Sequence, residues 1–133
     1  MLLAASLTEA DLERRFGGLR RLYGVSAYER VRQLRIAVVG VGGVGSWTAE
    51  ALARSGVASL TLIDMDHVAE SNINRQVHAI EPSIGQAKVQ ALKERIALIH
   101  PGCQVHTIVE VSVTSHRVHA EACLGRYLTH ADW

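Results

Sequence analysis

The sequence predicts an α/β fold: a Rossmann-like, doubly wound and mainly parallel sheet preceded by a short helical arm. Three observations predict it. Ile36-Ala37-Val38-Val39 is a continuous β-branched apolar run closed by Gly40, the pattern of a strand buried on both faces. Gly40-Val41-Gly42-Gly43-Val44-Gly45 follows as a glycine-rich turn leading into a helical pattern. Strand-like and helix-like segments then alternate in the order β-α-β-loop-α-β-α, which calls for right-handed crossovers and a parallel sheet.

Each element has its own local reason. Thr8-Glu9-Ala10-Asp11 has the form of an N-cap followed by an acid, so a short helix is expected from Thr8 to about Arg15, broken at Phe16-Gly17-Gly18. Tyr28, Val31 and Leu34 recur at helical spacing and predict a second helix from about Ser26 to Gln33. Residues 1–34 thus form the arm and 35–133 the domain. After the first strand, the pattern from Val44 to Ser55 ends at Gly56, a favoured residue just past a helix end. Leu60-Thr61-Leu62-Ile63 is the second strand, ending at Asp64. Ser83 and Gln86 make a capping box, and Val89, Leu92, Ile96 and Ile99 form one apolar stripe that Pro101-Gly102 ends. Val105 to Val113 alternates as a third strand, and Thr114 caps a last helix reaching about Leu128.

Composition excludes several classes. The chain has 133 residues, 14 Lys+Arg against 13 Asp+Glu and 48% hydrophobic residues, so it is about one globular domain without a single-sign field. Its N-terminus is apolar but lacks a basic flank, and no apolar run reaches the roughly 18 residues that span a bilayer. Cys103 and Cys123 stand apart with no metal-site or disulfide spacing, which fits a reducing, cytoplasmic setting.

The chemistry concentrates after the first two strands. Between strand and helix, the backbone N–H groups of Gly42, Gly43 and Gly45, with the positive end of the helix dipole, suit a phosphate. Glycine avoids a blocking Cβ and permits the positive φ values expected of the turn. Asp64 stands about 20 residues further on, where a carboxylate accepts from ribose hydroxyls. No Gly-Lys-Ser/Thr follows the loop, which excludes a P-loop. A dinucleotide oxidoreductase and an ATP-binding enzyme both fit so far. Ser71-Asn72-Ile73-Asn74-Arg75-Gln76 favours ATP, because a neutral nicotinamide ribose has no use for a dense amide run with an arginine. Arg75 can bind phosphate oxygens in bidentate fashion, with Asn72 and Gln76 fixing position. Lys88, one position off the helical stripe, can turn its ammonium to the same sheet edge, whereas Lys93 and Arg95 are expected in solvent.

Three stretches together, Val38 to Trp47, Leu62-Ile63-Asp64-Met65-Asp66 and Asn72 to Ala79, resemble the ThiF/ubiquitin-activating-type adenylation domain. Arg15-Phe16-Gly17-Gly18, Arg21-Leu22-Tyr23-Gly24 and Gly45-Ser46-Trp47 resemble its tRNA threonylcarbamoyladenosine dehydratase branch. The resemblance implies attack of a substrate carboxylate on the α-phosphate of ATP, with Mg²⁺, giving an acyl-adenylate and pyrophosphate. In this branch the carboxylate belongs to the threonylcarbamoyl group of adenosine 37 in tRNA, and ring closure then expels AMP. The implied ATP-binding residues are Gly42, Gly43, Gly45, Asp64, Asp66, Ser71, Asn72, Asn74, Arg75, Gln76 and Lys88, with Arg75 and Lys88 stabilising the developing charge. A homodimer is implied, with Arg15 or Arg21 of one subunit reaching the other's ATP, and the basic arm is a candidate tRNA contact. No membrane partner is expected.

Alternatives remain open: adenylation of the C-terminal glycine of a ubiquitin-like sulfur carrier, with a sulfur-carrier or cysteine desulfurase system as partner, an NAD-binding module, or an inactive truncated product. His116 and His119 are expected on a solvated face rather than as a metal pair. Cys103 and Cys123 are expected as small buried side chains. The family's magnesium acid is expected beyond Trp133, so the metal role is not transferred to Asp132, and the chain by itself is expected to be an incomplete, inactive domain with an open sheet edge.

Overall fold

The computed structural model describes residues 11–109. Within them lie α1 (Leu12–Phe16), α2 (Leu19–Tyr23), α3 (Val25–Val31), β1 (Arg35–Val39), α4 (Gly45–Arg54), β2 (Ser59–Ile63), α5 (Lys88–Ile99) and β3 (Gln104–Ile108). The expected last helix, Cys123, His116, His119 and Asp132 lie outside the described residues.

The strands form a parallel sheet in the order β1-β2-β3, with Val39 level with Ile63 and Ile63 level with Ile108. The ladder runs one step past the strands: Gly40 N donates to Ile63 O at 2.8 Å and Asp64 N to Ile108 O at 3.1 Å. Gly40 and Asp64 are thereby held at the same level, on the carboxyl edge where open α/β sheets bind ligands. Strand β2 is the most buried. Leu60 and Leu62 are sealed on one face, packed with Ala49, Ala53, Val57, Val89, Leu92 and Ile96, while Ser59 and Thr61 are buried on the other. Helix α4 packs on β1 and β2 and lies beside α5, which packs on β3.

Several expectations need correction. Strand β1 is not buried on both faces: Val38 is buried, but Val39 is 75% exposed. Asp11 caps α1, its Oδ1 accepting from Arg14 N at 3.0 Å, and the expected cap Thr8 lies outside the described residues. The pair Gly17-Gly18 only bends the chain, and a further short helix, α2, follows it before α3. Ser83 does not start α5. Glu81–Ser83 forms a single 3₁₀ turn there, with Pro82 at its centre, and the Ser83 hydroxyl donates back to His78 O at 2.7 Å. Gly85, at φ +87°, then reverses the chain so that α5 begins only at Lys88.

The arm is fastened to the body. Phe16 is buried and its ring meets that of His100 edge-on at 4.7 Å, while the Arg32 guanidinium donates to Gly56 O. Gly56 is irreplaceable for two reasons: its φ is +78°, and a Cβ would lie 2.9 Å from the Phe16 ring. Arg20 pairs with Glu13 and lies 4.7 Å from the centre of the Tyr28 ring.

Candidate functional site

The site is assembled from three chain segments meeting at the carboxyl edge. The first is the glycine turn. Its positive φ falls at Gly40, +82°, and not at Gly42, Gly43 or Gly45. Gly45 is needed for a different reason: a Cβ there would fall 1.7 Å from Gly40 O, so only glycine lets α4 start directly against the strand end. Gly42 and Gly43 border the open side. A Cβ on them would meet only the side chains of Gln76, at 3.7 Å, and Arg75, at 3.8 Å.

The second segment is the end of β2. Both oxygens of Asp64 are aimed by backbone donors, Oδ2 by Val41 N and Oδ1 by Asp66 N, each at 2.8 Å. A carboxylate oxygen has room for further donors, so Asp64 is oriented and still able to accept from a hydroxyl.

The third is the loop carrying Arg75. Its Nη1 donates to Ser71 O at 2.8 Å and Asn74 Oδ1 at 2.9 Å, which fixes the guanidinium, while its Cγ and Cδ lie beside Gly43 and its Nε and Nη2 make no hydrogen bond among the described residues. Asn72 does not present its oxygen to that space, because Oδ1 accepts from Ala69 N at 2.9 Å and the residue is buried. Gln76 is buried too, and its Oε1 has no hydrogen-bond partner among the described residues.

Lys88 completes the edge. An antiparallel bridge between His67 and Ala87 lays the start of α5 along the segment after β2, and Lys88 N donates to Asp66 O at 3.0 Å. Its side chain is buried, with Nζ 3.7 Å from Asp66 Oδ2. That is an ion pair but longer than a hydrogen bond, so a buried ammonium retains donors.

Three contributors were not assigned from sequence. His78 is buried, its Nε2 2.7 Å from Val41 O. A carbonyl only accepts, so Nε2 carries the proton and Nδ1 has no partner among the described residues. Burial holds its pKa below the ordinary 6.5, and nearby Lys88 adds to this, against the bond to Val41. Val41 is therefore gripped at its N–H by Asp64 and at its C=O by His78. Ser46, fully buried, accepts from Val77 N at 3.3 Å and ties α4 to the loop after Arg75. Trp47 Nε1 donates to Arg75 O at 2.9 Å. No periodicity announces such bonds, since each spans about 30 residues of chain; an aromatic or histidine flanking a glycine loop is the only hint.

Arg95 is not in solvent: with Arg54 it pairs with the buried Glu50. Lys93 is exposed as expected. Arg15 donates to Ile99 O at 2.8 Å at the end of α5, whereas Arg21 is exposed with no side-chain partner among the described residues. Cys103 is buried and burial raises its thiol pKa, which fits a packing role. Among the described residues no three His, Cys, Asp or Glu side chains gather as a metal site, and no helix is long and apolar enough to cross a membrane.

A glycine turn, an oriented strand-end carboxylate and two cations on the carboxyl edge of a parallel sheet define a Rossmann-like α/β domain with an edge suited to phosphate. The chain belongs to the ThiF family, whose pattern matches residues 14–127. It is 53% identical over 98 residues to a tRNA threonylcarbamoyladenosine dehydratase of Haemophilus influenzae, covering 74% of this chain and 38% of that protein. The crystal structure of Escherichia coli tRNA N6-threonylcarbamoyladenosine dehydratase in complex with ATP superposes with a TM-score of 0.79 at 44% identity, over 85% of this chain and 47% of that one. Ubiquitin-like modifier-activating enzyme 5 of Drosophila ananassae is 38% identical over 105 residues, 79% of this chain and 26% of that protein. The chain thus spans less than half the length of these relatives.

Proposed function

We propose that this chain is the ATP-recognising part of an enzyme that activates a carboxylate by adenylation, and that the carboxylate is the threonylcarbamoyl group on adenosine 37 of tRNA. The observation that carries the reading is the convergence of Asp64, Arg75 and the buried Lys88 around the glycine turn. Higher identity to the tRNA dehydratase than to the modifier-activating enzyme supports the RNA substrate over a protein C-terminus.

In this reading the N–H groups of Gly42 and Gly43 and the start of α4 receive phosphate oxygens, and Asp64 holds the ribose. Gln76, with a buried oxygen lacking a partner, accepts from the ligand or a water it orders. Attack by the carboxylate oxygen on the α-phosphorus breaks its bond to the bridging oxygen, and pyrophosphate leaves. Arg75 and Lys88 face the charge that grows on the leaving oxygens, held in place beforehand. The carbamoyl group then attacks the acyl carbon and gives up a proton, the bond to AMP breaks, and the ring closes. Among the described residues no three His, Cys, Asp or Glu side chains gather as a site for Mg²⁺.

The acting form is a homodimer. Arg21 is the better candidate to reach the partner's ATP, because Arg15 is tied through Nη1 to Ile99 O of its own chain, whereas Arg21 is exposed with no side-chain partner among the described residues. Calorimetric titration of the chain with ATP and with NAD tests the nucleotide reading: ATP binding is expected, and tighter binding of NAD overturns it. Nucleoside mass spectrometry of tRNA from a deletion strain tests the substrate. Persistence of the cyclic adenosine there overturns the RNA reading in favour of a protein carboxylate.

A further inference from the structure

We propose that the cavity between the arm and the amino edge of the sheet is a second phosphate site, which takes a backbone phosphodiester of the RNA substrate and not a phosphate of ATP. The proposal rests on the RNA reading above. The cavity, of about 460 Å³, is lined by Arg32 and Gln33 from the end of the arm and by Arg35, Ser59 and Gln104 from the sheet. Those last three are the first residues of β1, β2 and β3 and stand level in the ladder, so their side chains share one face at one end of the sheet.

The chemistry of the cavity has one sign. Two guanidiniums, two amides and a hydroxyl line it, and no acid among the described residues does. Arg32 is preset: its Nη1 donates to Gly56 O and its Cζ lies 5.2 Å from the centre of the Phe16 ring, while Nε and Nη2 make no hydrogen bond among the described residues. Arg35 is exposed, with no side-chain partner among the described residues. A fixed and a free guanidinium on one cavity suit an anion with several acceptor oxygens, as a phosphate has. The ATP edge is too far away to share it, since roughly 16 Å of strand rise separates Arg35 from Gly40 at the glycine turn.

The surroundings favour a chain of phosphates over a single small anion. From Asp11 to Arg35 the sequence holds seven arginines and three acids, although the whole chain carries only +1. Of those acids Asp11 caps α1 and Glu13 pairs with Arg20. Arg14 on α1, Arg21 on α2 and Arg30 on α3 are exposed. One small anion needs only the pair at the cavity, whereas cations repeated over three helices match a polyanion. Such contacts hold an RNA in place without reading its bases, leaving recognition of the reacting adenosine to the ATP edge.

The test removes one charge at two places. Arg35→Gln takes it from the cavity, and Lys93→Gln takes it from the exposed side of α5, outside the cavity. Gln104→Glu adds an acid to the cavity at an exposed position. Binding of an RNA stem-loop is measured at several salt concentrations, beside binding of ATP and of inorganic phosphate. The expected result is RNA binding about 3- to 10-fold weaker for Arg35→Gln, with a salt slope smaller by about 1, and a loss at least as large for Gln104→Glu. Lys93→Gln should bind RNA as the parent does, and all three variants should bind ATP as the parent does. Equal RNA losses in Arg35→Gln and Lys93→Gln would reduce the effect to net charge and overturn the site. Inorganic phosphate binding that depends on Arg35 while RNA binding does not would overturn the phosphodiester assignment, and weaker ATP binding in Arg35→Gln would overturn the separation from the ATP edge. A parent chain that binds ATP but no RNA overturns the RNA reading itself, and the proposal with it.

Discussion

Two ion pairs, one inside the body and one at the sheet edge, are built in opposite senses. In the body the buried partner is the anion. Glu50, 6% exposed, accepts from Arg54 Nε at 3.0 Å and from Arg95, two arginines reaching in from the surface of α4 and α5. Burial alone would raise its pKa, but those hydrogen bonds outweigh burial and hold it below the usual carboxylate range. At the edge the buried partner is the cation: Lys88 sits 3.7 Å from an Asp66 that is largely in solvent. In the first, both oxygens of the buried Glu50 are already taken by arginine donors. The second has donors in reserve beside an oriented Asp64 and an unpartnered Gln76 oxygen. Spare hydrogen-bonding capacity in a buried group, more than charge itself, separates a binding edge from a structural brace.

The largest expected break of that contrast is Lys88→Ala. It should weaken ATP binding by about 10- to 100-fold, the scale of a lost charge-assisted hydrogen bond, with little change in a denaturant midpoint. A variant that binds ATP as well as the parent chain would remove Lys88 from the site. Glu50→Gln should do the reverse, costing about 1–2 kcal/mol in denaturant unfolding, discounted because both arginines are partly exposed, and leaving ATP affinity unchanged. Loss of ATP binding at unchanged stability would show that the brace is part of the site after all.

His78 lies between the two cases. His78→Phe keeps a ring but drops the donor to Val41 O, so ATP binding should weaken by about 3- to 10-fold as the glycine turn loosens. His78→Gln, which can restore a donor, should recover most of it. Equal behaviour of the two variants would mean that the histidine only fills space.

Acid should sharpen the contrast least. Burial, with cations nearby, lowers the pKa of His78 and His100 below the ordinary 6.5. On acidification through 6.5 the unfolded chain therefore takes up protons that the folded chain resists, and stability falls with pH. For His78 the facing charges are Lys88, Asp64 and Arg95. Glu50, shifted down from 4.5, adds stability above that value that disappears only as pH drops through its lower folded pKa. Melting temperature should fall from pH 7.5 to 5.5, by less in His78→Gln; an equal or larger fall in that variant would refute the assignment.

What the sequence determined by itself was local. Periodicity and glycine punctuation placed β1, α4, β2 and the stripe of α5 within a residue or two, because those signals arise from neighbours in the chain. The glycine turn, the strand-end acid and the Asn/Arg loop were legible for the same reason. Tertiary structure decided what depends on contacts between distant segments. It made β2 rather than β1 the strand buried on both faces, turned Ser83 back to His78, and drew Arg95 onto Glu50. It also turned the Asn72 oxygen away from the edge, buried Lys88 against it, and gave His78 and Trp47 their partners. A residue's type shows which bonds it can make, but its remaining donors and acceptors are known only when the fold has brought up the groups that use them.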